Sequence, residues 1–306
     1  MLYKENGCGA LIGFGGGSSI DCAKAVGARV AKPNTSLDKM AGVMKVCRKI
    51  VPLFAIPTTA GTGSETTVAA IITNDKTRHK YCINSFPLIP KYAVLDEEVT
   101  RTLPPHLTAS TGMDALTHAV EAYIGQSTTA GTRKDATQAV KLIFENIRTA
   151  YENGNDMKAR KNMLYASYLA GNAFTRSYVG YVHAVAHSLG GKYNVPHGLA
   201  NAVLLPYVLE EYGKSAHKKL HKLAVVAGLT DGSVSDAEGA KLFIDAIWQM
   251  QKDLGIGDKI KGIKEEDIPE MSRYADKEGN PLYPVPKLMD RKELEKFYYM
   301  VMEKEA

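Results

Sequence analysis

The chain has 306 residues, of which 45% are hydrophobic and 23% are charged, so it is long enough for two packed domains and too apolar to be disordered. Its apolar runs are too short to cross a membrane and its first residues do not read as a signal peptide, so a cytoplasmic protein without a membrane partner is expected. The net charge of +5 comes from scattered lysines and arginines, and without an aromatic-interleaved basic stripe it does not predict nucleic acid as a partner.

The first hundred residues alternate short apolar runs with a helical segment. The runs with the length of buried strands cover residues 9–14, 49–57, 69–74 and 92–96. A helix is predicted over residues 18–31, and the alternation predicts an α/β nucleotide-binding domain with a mostly parallel sheet. Because no strand and no ribose-binding acidic residue precede the first turn, the sheet is expected to lack its first strands.

The first strand run ends in a glycine-rich turn, GFGGGSSID, at residues 13–21. Glycine lets a backbone approach a ligand closely and a helix N-terminus attracts phosphate, so Gly15, Gly16 and Gly17 are candidates for binding a pyrophosphate, together with Ser18. The spacing is not GxGxxG, because Ser18 takes the position of the last glycine. Alone, such a turn is more often a tight connection.

A second polar turn, IPTTAGTGSET, at residues 56–66, follows the next buried run. The hydroxyls of Thr58, Thr59 and Thr62 are suited to a ribose, an amide or a phosphate. Turns that follow parallel strands lie at one edge of the sheet, where α/β proteins bind their ligands. The two turns together favour a nucleotide site.

After LPPH, at residues 103–106, the sequence changes to long segments with the apolar period of helices. This change predicts a domain boundary near residue 104. Residues 1–104 are expected to form the α/β domain, and residues 105–306 an all-helical domain.

Side chains of the metal-ligand type recur in the helical part. Asp114 and His118 are four residues apart, as are His183 and His187, so each pair shares one face of a helix. Taken alone, Asp114 is also explained as a helix N-cap, with His118 packed nearby. An aspartate on an apolar face needs a partner or a metal, so the combination with the histidines favours a metal site.

The third histidine of the second motif, His197, follows the paired glycines Gly190 and Gly191. These glycines are expected to turn the chain so that His197 comes back towards the helix. One carboxylate with imidazoles suits Fe(II) or Zn(II), but the spacing does not settle which histidines are ligands. The absence of HExxH argues against a metalloprotease of the usual kind.

Five motifs in this order closely resemble the iron-containing (group III) alcohol dehydrogenase family, which shares its fold with dehydroquinate synthase. The motifs are GFGGGSSIDCAKA, IPTTAGTGSE, LPP, GMDALTHAVEAY and HAVAHSLGGKYNVPHGLANAVLLP. The resemblance implies reversible hydride transfer between a small alcohol or aldehyde and NAD or NADP, with Fe(II) or Zn(II) as the Lewis acid. It also implies a homo-oligomer, a dimer or larger.

The resemblance also assigns residues. The implied metal ligands are Asp114, His118, His183 and His197, and His187 matches a histidine beside the metal that is implicated in catalysis. The implied cofactor residues are Gly15, Gly16, Gly17, Ser18, Thr58, Thr59, Thr62, Thr67 and Lys80. Phe174 matches a position near the substrate.

Family members begin several dozen residues earlier, so cofactor binding by this chain and the choice between NAD and NADP stay open. One alternative is a non-catalytic or cofactor-deficient short form that still binds metal. Another is a lyase of the dehydroquinate synthase type. The lyase would need an Arg- and Lys-rich site for a substrate phosphate, and residues 194–198 and their neighbours offer little such charge.

Overall fold

The computed structural model describes residues 2–73 and 80–303. Its N-terminal part holds two α-helices and six short strands, with short 3₁₀ helices between some of them. The helices are α1 (Leu2–Glu5) and α2 (Gly17–Ala31), and the strands are β1 (Leu11–Gly15), β2 (Gly42–Val43), β3 (Leu53–Pro57), β4 (Ala69–Thr73), β5 (Lys80–Asn84) and β6 (Tyr92–Ala93). The expected α/β character of this part is confirmed.

The strands form two small sheets. One has the order β1-β3-β6 with all strands parallel, so the expected mostly parallel sheet is confirmed. In the other, β5 pairs parallel with β2 and antiparallel with β4. The sequence analysis did not predict β5, whose sequence KYCIN has only three consecutive apolar residues between two polar ones.

The parallel sheet is covered on one face by α2. Leu53 and Ala55 of β3 are buried on that side, where Ile20 of α2 is also fully buried. The opposite face of β1 carries Ile12 and Phe14, which are 66% and 58% exposed.

The rest of the chain is helical, as expected. The helices are α3 (Pro105–Ile124), α4 (Ala130–Glu152), α5 (Met157–Ser177), α6 (Tyr181–Tyr193), α7 (His197–Tyr212), α8 (Lys214–Val226), α9 (Asp236–Asp253), α10 (Ile268–Gly279) and α11 (Arg291–Val301). Within the described ranges, none of the helices has the length and apolarity that a bilayer span requires.

Local sequence explains where several of these helices begin. The side chains of Thr129, Asp156, Ser235 and Asp290 each accept a hydrogen bond from a backbone N–H of the first turn of α4, α5, α9 and α11. Each of these caps satisfies a donor that has no partner inside its helix.

The central helix is α3, in which every residue from Gly112 to Ile124 is buried. It packs against α4, α5 and α7. A helix that is buried all round belongs to the middle of a domain, so its polar residues need partners inside the protein.

Two expectations about local structure are wrong. Gly190 and Gly191 lie inside α6 and do not turn the chain; the turn comes at Asn194, which has a left-handed backbone with φ 53°. The four cysteines lie far apart in the sequence with no CxxC pair, which predicts buried, reduced thiols. The thiols are free, but Cys8, Cys22 and Cys47 are exposed, because they lie in loops and on the outer face of α2.

Candidate metal and nucleotide site

Two of the predicted ligands lie on the central helix. Asp114 and His118 are one turn apart in the middle of α3, and both are almost completely buried, with exposed fractions of 2% and 4%. The alternative explanation of Asp114 as an N-cap is wrong, because α3 begins at Pro105.

The structure brings four of the predicted side chains together. Asp114, His118, His183 and His197 each offer one ligand atom, and these atoms all lie within 4.8 Å of one another. His183 comes from the first turn of α6 and is buried, whereas His197 is the first residue of α7 and its side chain is 40% exposed. The cluster is therefore closed on the α3 side and open beside His197.

A glycine allows α7 to begin next to α3. A Cβ at Gly198 would collide with the carbonyl oxygen of Ser110 and lie 3.3 Å from the Cβ of Asp114. With glycine there, His197 Nε2 comes to 3.5 Å from Asp114 Oδ1. The close approach of the two helices thus places the fourth side chain of the cluster.

The three imidazoles of the cluster are neutral around neutral pH. Burial lowers the pKa of His118, and burial together with the neighbouring imidazoles takes the pKa of His183 well below its ordinary value. Burial lowers the pKa of His197 to about 4, although Asp114 opposes the shift. Neutral imidazoles keep the lone pairs that a metal ion requires.

Asn201, one turn after His197, shows that the middle of the cluster lacks hydrogen-bond donors. Its fully buried Nδ2 lies 2.7 Å from Asp114 Oδ1 and 3.1 Å from Nε2 of both His183 and His197. An amide nitrogen has two hydrogens for these three acceptors, and Asn201 Oδ1 has no partner among the described residues. A carboxylate and three imidazoles around such a centre fit Fe(II) or Zn(II).

Glu121 is a residue that the sequence analysis missed. It lies on α3 with an exposed fraction of 3%, and its Oε2 is 2.6 Å from His183 Nδ1. The same carboxyl accepts the backbone N–H groups of Gly180 and Val182 at the start of α6. Burial raises the pKa of Glu121 to about 8, against these hydrogen bonds. Glu121 lies seven residues after Asp114 in the same motif, which places both on one face of the helix, and this spacing is the signal that was available.

His187 lies beside the cluster and is not part of it. Its ring stacks on His197 with 5.1 Å between centroids and 18° between planes, and its Nδ1 is 2.6 Å from Glu278 Oε1. Burial opposes protonation, but Glu278 and the other nearby carboxylates raise the pKa of His187 above its ordinary value. Phe174 stacks on His118 at 4.2 Å.

The two polar turns meet at the edge of the parallel sheet. The N–H of Thr58 donates to the carbonyl oxygen of Gly15 at 2.9 Å, and a Cβ on Gly17 would lie 2.9 Å from Thr62 Cγ2. Gly16 is the N-cap of α2, where no side chain caps the helix, so the first N–H groups of α2 face this edge without a side-chain partner. Such a helix start is suited to a phosphate.

The other predicted cofactor residues lie in different environments; they are Ser18, Thr59, Thr67 and Lys80. Ser18 is exposed in the first turn of α2, and the hydroxyl of Thr59 is buried without a partner among the described residues. Thr67 does not line the open edge, because it is buried and its Oγ1 accepts a hydrogen bond from Lys24 Nζ at 2.8 Å. Lys80 begins β5, but its side chain lies outside the described part of the structure.

Asp21 and Lys24 of α2 hold the second polar turn, residues 56–66 (the threonine-rich turn), and the residues that follow it through hydrogen bonds. The sequence did not indicate this role. Asp21 accepts hydrogen bonds from Ser64 Oγ at 2.6 Å and from the N–H of Ile71. Lys24 donates to the carbonyl oxygens of Thr67 and Ala69. Burial lowers the pKa of Lys24 to about 8, although Asp21 opposes the shift.

The threonine-rich turn also packs directly on the helical part. A Cβ at Gly61 would collide with Thr111 of α3, and Gly63, which has a left-handed backbone with φ 61°, packs against Gly171 of α5. The edge of the sheet and the Asp–His cluster are therefore neighbours. The α/β part is thus packed on the helical part, with the candidate metal cluster next to the candidate nucleotide-binding edge.

Comparison with known proteins gives the family. The family model described as Fe-containing alcohol dehydrogenase family, C-terminal, matches residues 108–302. The model described as iron-containing alcohol dehydrogenase matches residues 1–97. The chain is 40% identical over 299 residues to 1,3-propanediol dehydrogenase of Citrobacter freundii. The aligned region covers 97% of this chain and 77% of that protein.

Solved structures agree with the sequence comparison. A 1,3-propanediol oxidoreductase matches with a TM-score of 0.93 and 37% identity, covering 98% of this chain and 79% of its own. A sulfoacetaldehyde reductase from Bifidobacterium kashiwanohense, in complex with NAD+, matches with a TM-score of 0.87 and 28% identity, covering 99% and 79%. The chain belongs to the iron-containing alcohol dehydrogenase family, and the resemblance in its motifs is confirmed.

Proposed function

We propose that this chain is an alcohol dehydrogenase that uses NAD or NADP and a divalent cation, Fe(II) or Zn(II). The cation is held by Asp114, His118, His183 and His197, and the dinucleotide by the two turns at the sheet edge. The observation that carries the proposal is the convergence of these four side chains within 4.8 Å, beside the threonine-rich turn.

When bound, the cation would supply Lewis acidity, which lowers the pKa of an alcohol hydroxyl, and the nicotinamide would accept the hydride. The protein supplies placement. Burial keeps the imidazoles of His118 and His183 neutral and so available as ligands. Phe174, whose ring stacks on His118, and the exposed side of His197 would face the substrate.

His187 has the position of a proton acceptor. It lies against His197 at the open side of the cluster, and its side chain is 38% exposed. An imidazole with a pKa near or above its ordinary value can take the proton of the alcohol and release it to solvent. In the reverse direction the same group returns the proton to the product oxygen.

Further features of the protein belong to the proposal. The bound NAD+ of the sulfoacetaldehyde reductase and the diol in the name of the Citrobacter relative support a nicotinamide cofactor and a small alcohol. The proposal also includes a domain boundary near residue 104, assembly into a homo-oligomer and a cytoplasmic location. Sedimentation of the purified chain checks the oligomer.

The test loads the purified chain with Fe(II) under anaerobic conditions, or with Zn(II), and assays ethanol, 1-butanol and 1,3-propanediol with NAD+ and NADP+ at the nicotinamide absorbance. We expect reduction of one cofactor with at least one alcohol, and no reduction with the Asp114→Asn variant. Calorimetric titration of NAD+ and NADP+ separates the alternatives. A chain that binds metal but neither cofactor would support the cofactor-deficient form and overturn the proposal.

A further inference from the structure

A carboxylate from a distant part of the chain lies behind His187. Glu278, in the last turn of α10, places Oε1 2.6 Å from His187 Nδ1. The hydroxyl of Tyr283 donates to the same oxygen, also at 2.6 Å. His187 and Glu278 are 91 positions apart, so this contact depends on the packing of α10 against α6.

The contact determines which nitrogen of His187 is free. An ionised carboxylate only accepts hydrogen bonds, so the proton of a neutral His187 lies on Nδ1 and Nε2 remains the proton acceptor. The hydrogen bond also holds the plane of the ring, which stacks on His197 with 18° between the planes. Without an acceptor at Nδ1, the imidazole would divide between two tautomers and turn about its Cβ–Cγ bond.

Two carboxylates therefore hold two histidines for different purposes. Glu121 is buried and holds His183, which belongs to the cluster. Glu278 is 34% exposed and holds His187, which is 38% exposed and lies outside the cluster. The second pair has the solvent access that a proton-transferring group needs.

We propose that Glu278 is a positioning residue that keeps the Nδ1–H tautomer of His187 and directs its Nε2 to the substrate side of the cluster. Tyr283 supports it by donating to the carboxylate. This inference rests on the proposed function, in which His187 takes the proton of the alcohol.

The test replaces Glu278 with leucine, which removes the acceptor, and with glutamine, whose amide oxygen can still accept from Nδ1. With 1,3-propanediol and the Zn(II)-loaded enzyme, we expect Glu278→Leu to lower kcat about 10- to 100-fold with little change in KM. Glu278→Gln should recover most of this loss. Zinc affinity should change much less than kcat in both variants, because the hydrogen bonds of Glu278 within the described residues go to His187 and Tyr283, outside the cluster.

Glu270→Leu is the matched control. Glu270 lies on the same helix and pairs with Lys192 of α6 at 3.3 Å, so this variant removes a carboxylate between the same two helices away from the site. It should leave kcat unchanged. Unchanged kcat in Glu278→Leu, or equal losses in the leucine and glutamine variants, would overturn the positioning role.

A second measurement does not depend on activity. ¹⁵N NMR of the Zn(II)-loaded protein reports the tautomer of His187, which we expect to be Nδ1–H in the wild type and in Glu278→Gln and mixed in Glu278→Leu. A wild-type tautomer in Glu278→Leu would overturn the inference. Absence of alcohol oxidation by the wild type would instead contradict the proposed function, while the NMR result would still decide the role of Glu278.

Discussion

Replacing Glu121 with glutamine should weaken metal binding in addition to weakening the fold. Glu121 holds His183 by a 2.6 Å contact and accepts two backbone N–H groups at the start of α6. Burial raises its pKa to about 8, against the hydrogen bonds that it accepts. A bound cation beside His183 favours the ionised carboxylate, which the amide cannot supply.

The magnitude follows from the loss of one charge-assisted hydrogen bond to a ligand. Carboxylates that hold metal-binding histidines contribute about 10- to 100-fold to affinity, which is about 1.4–2.7 kcal/mol. The free energy of unfolding of the metal-free variant should fall by about 1–3 kcal/mol, because glutamine has one acceptor oxygen for the two backbone N–H groups that the two carboxyl oxygens of Glu121 accept.

Isothermal titration with Zn(II) and urea unfolding with and without zinc measure both quantities. Thr117→Val is the control, because it removes a buried hydroxyl from the same helix that bonds only the carbonyl oxygen of Met113. A Glu121→Gln variant that binds zinc as tightly as the wild type would refute the role of Glu121. So would an equal loss of stability in the metal-free and zinc-loaded forms.

Three further predictions follow from the site. His197 has a lowered pKa, about 4, so its contribution to the unfolding free energy of the metal-free protein should be fully present above about pH 6.5 and be lost as the pH drops towards about 4. Urea unfolding of the wild type and of His197→Gln at each pH isolates this contribution from that of Glu121, whose raised pKa acts in the opposite direction. Gly198→Ala should destabilise the protein by about 1–3 kcal/mol and weaken zinc binding, because its Cβ meets the Ser110 carbonyl. Gly17→Ala should weaken cofactor binding about tenfold in calorimetry while zinc binding is kept, because its Cβ presses on Thr62.

Each of these has an outcome that would contradict it. A stability difference between the metal-free wild type and His197→Gln that stays level across that acid range would show that His197 is not held neutral in the folded protein. Gly191→Ala is the control for Gly198→Ala, because a Cβ at Gly191 meets nothing within 4 Å, and it should not weaken zinc binding. Equal effects of the two alanines, or a loss of zinc in Gly17→Ala, would count against the assigned contacts.

The parts of the site that depend on local spacing could be predicted from the sequence. Asp114 and His118 share a helix face because they are four residues apart, and the structure shows them on successive turns of α3. The rule that turns after parallel strands meet at one sheet edge likewise placed Gly17 beside Thr62.

The parts that depend on long-range packing could not be predicted. Glu278 reaches His187 only because α10 packs on α6, and no spacing in the sequence indicates that contact. The hydrogen bond from the buried Lys24 to Thr67 likewise joins residues 43 positions apart, which no spacing in the sequence indicates. The two glycines of α6 were expected to break the helix, yet thirteen residues continue through them because α6 is packed against α7 and α10.

The central claim is that Asp114 and three imidazoles hold one divalent cation. Metal analysis after dialysis of the wild type and of Asp114→Asn tests it most directly, because the carboxylate is the anionic member of the cluster. The account predicts one Fe(II) or Zn(II) bound per wild-type chain and loss of the bound metal in a variant that stays folded by circular dichroism. A folded Asp114→Asn variant that keeps its full metal content would contradict it.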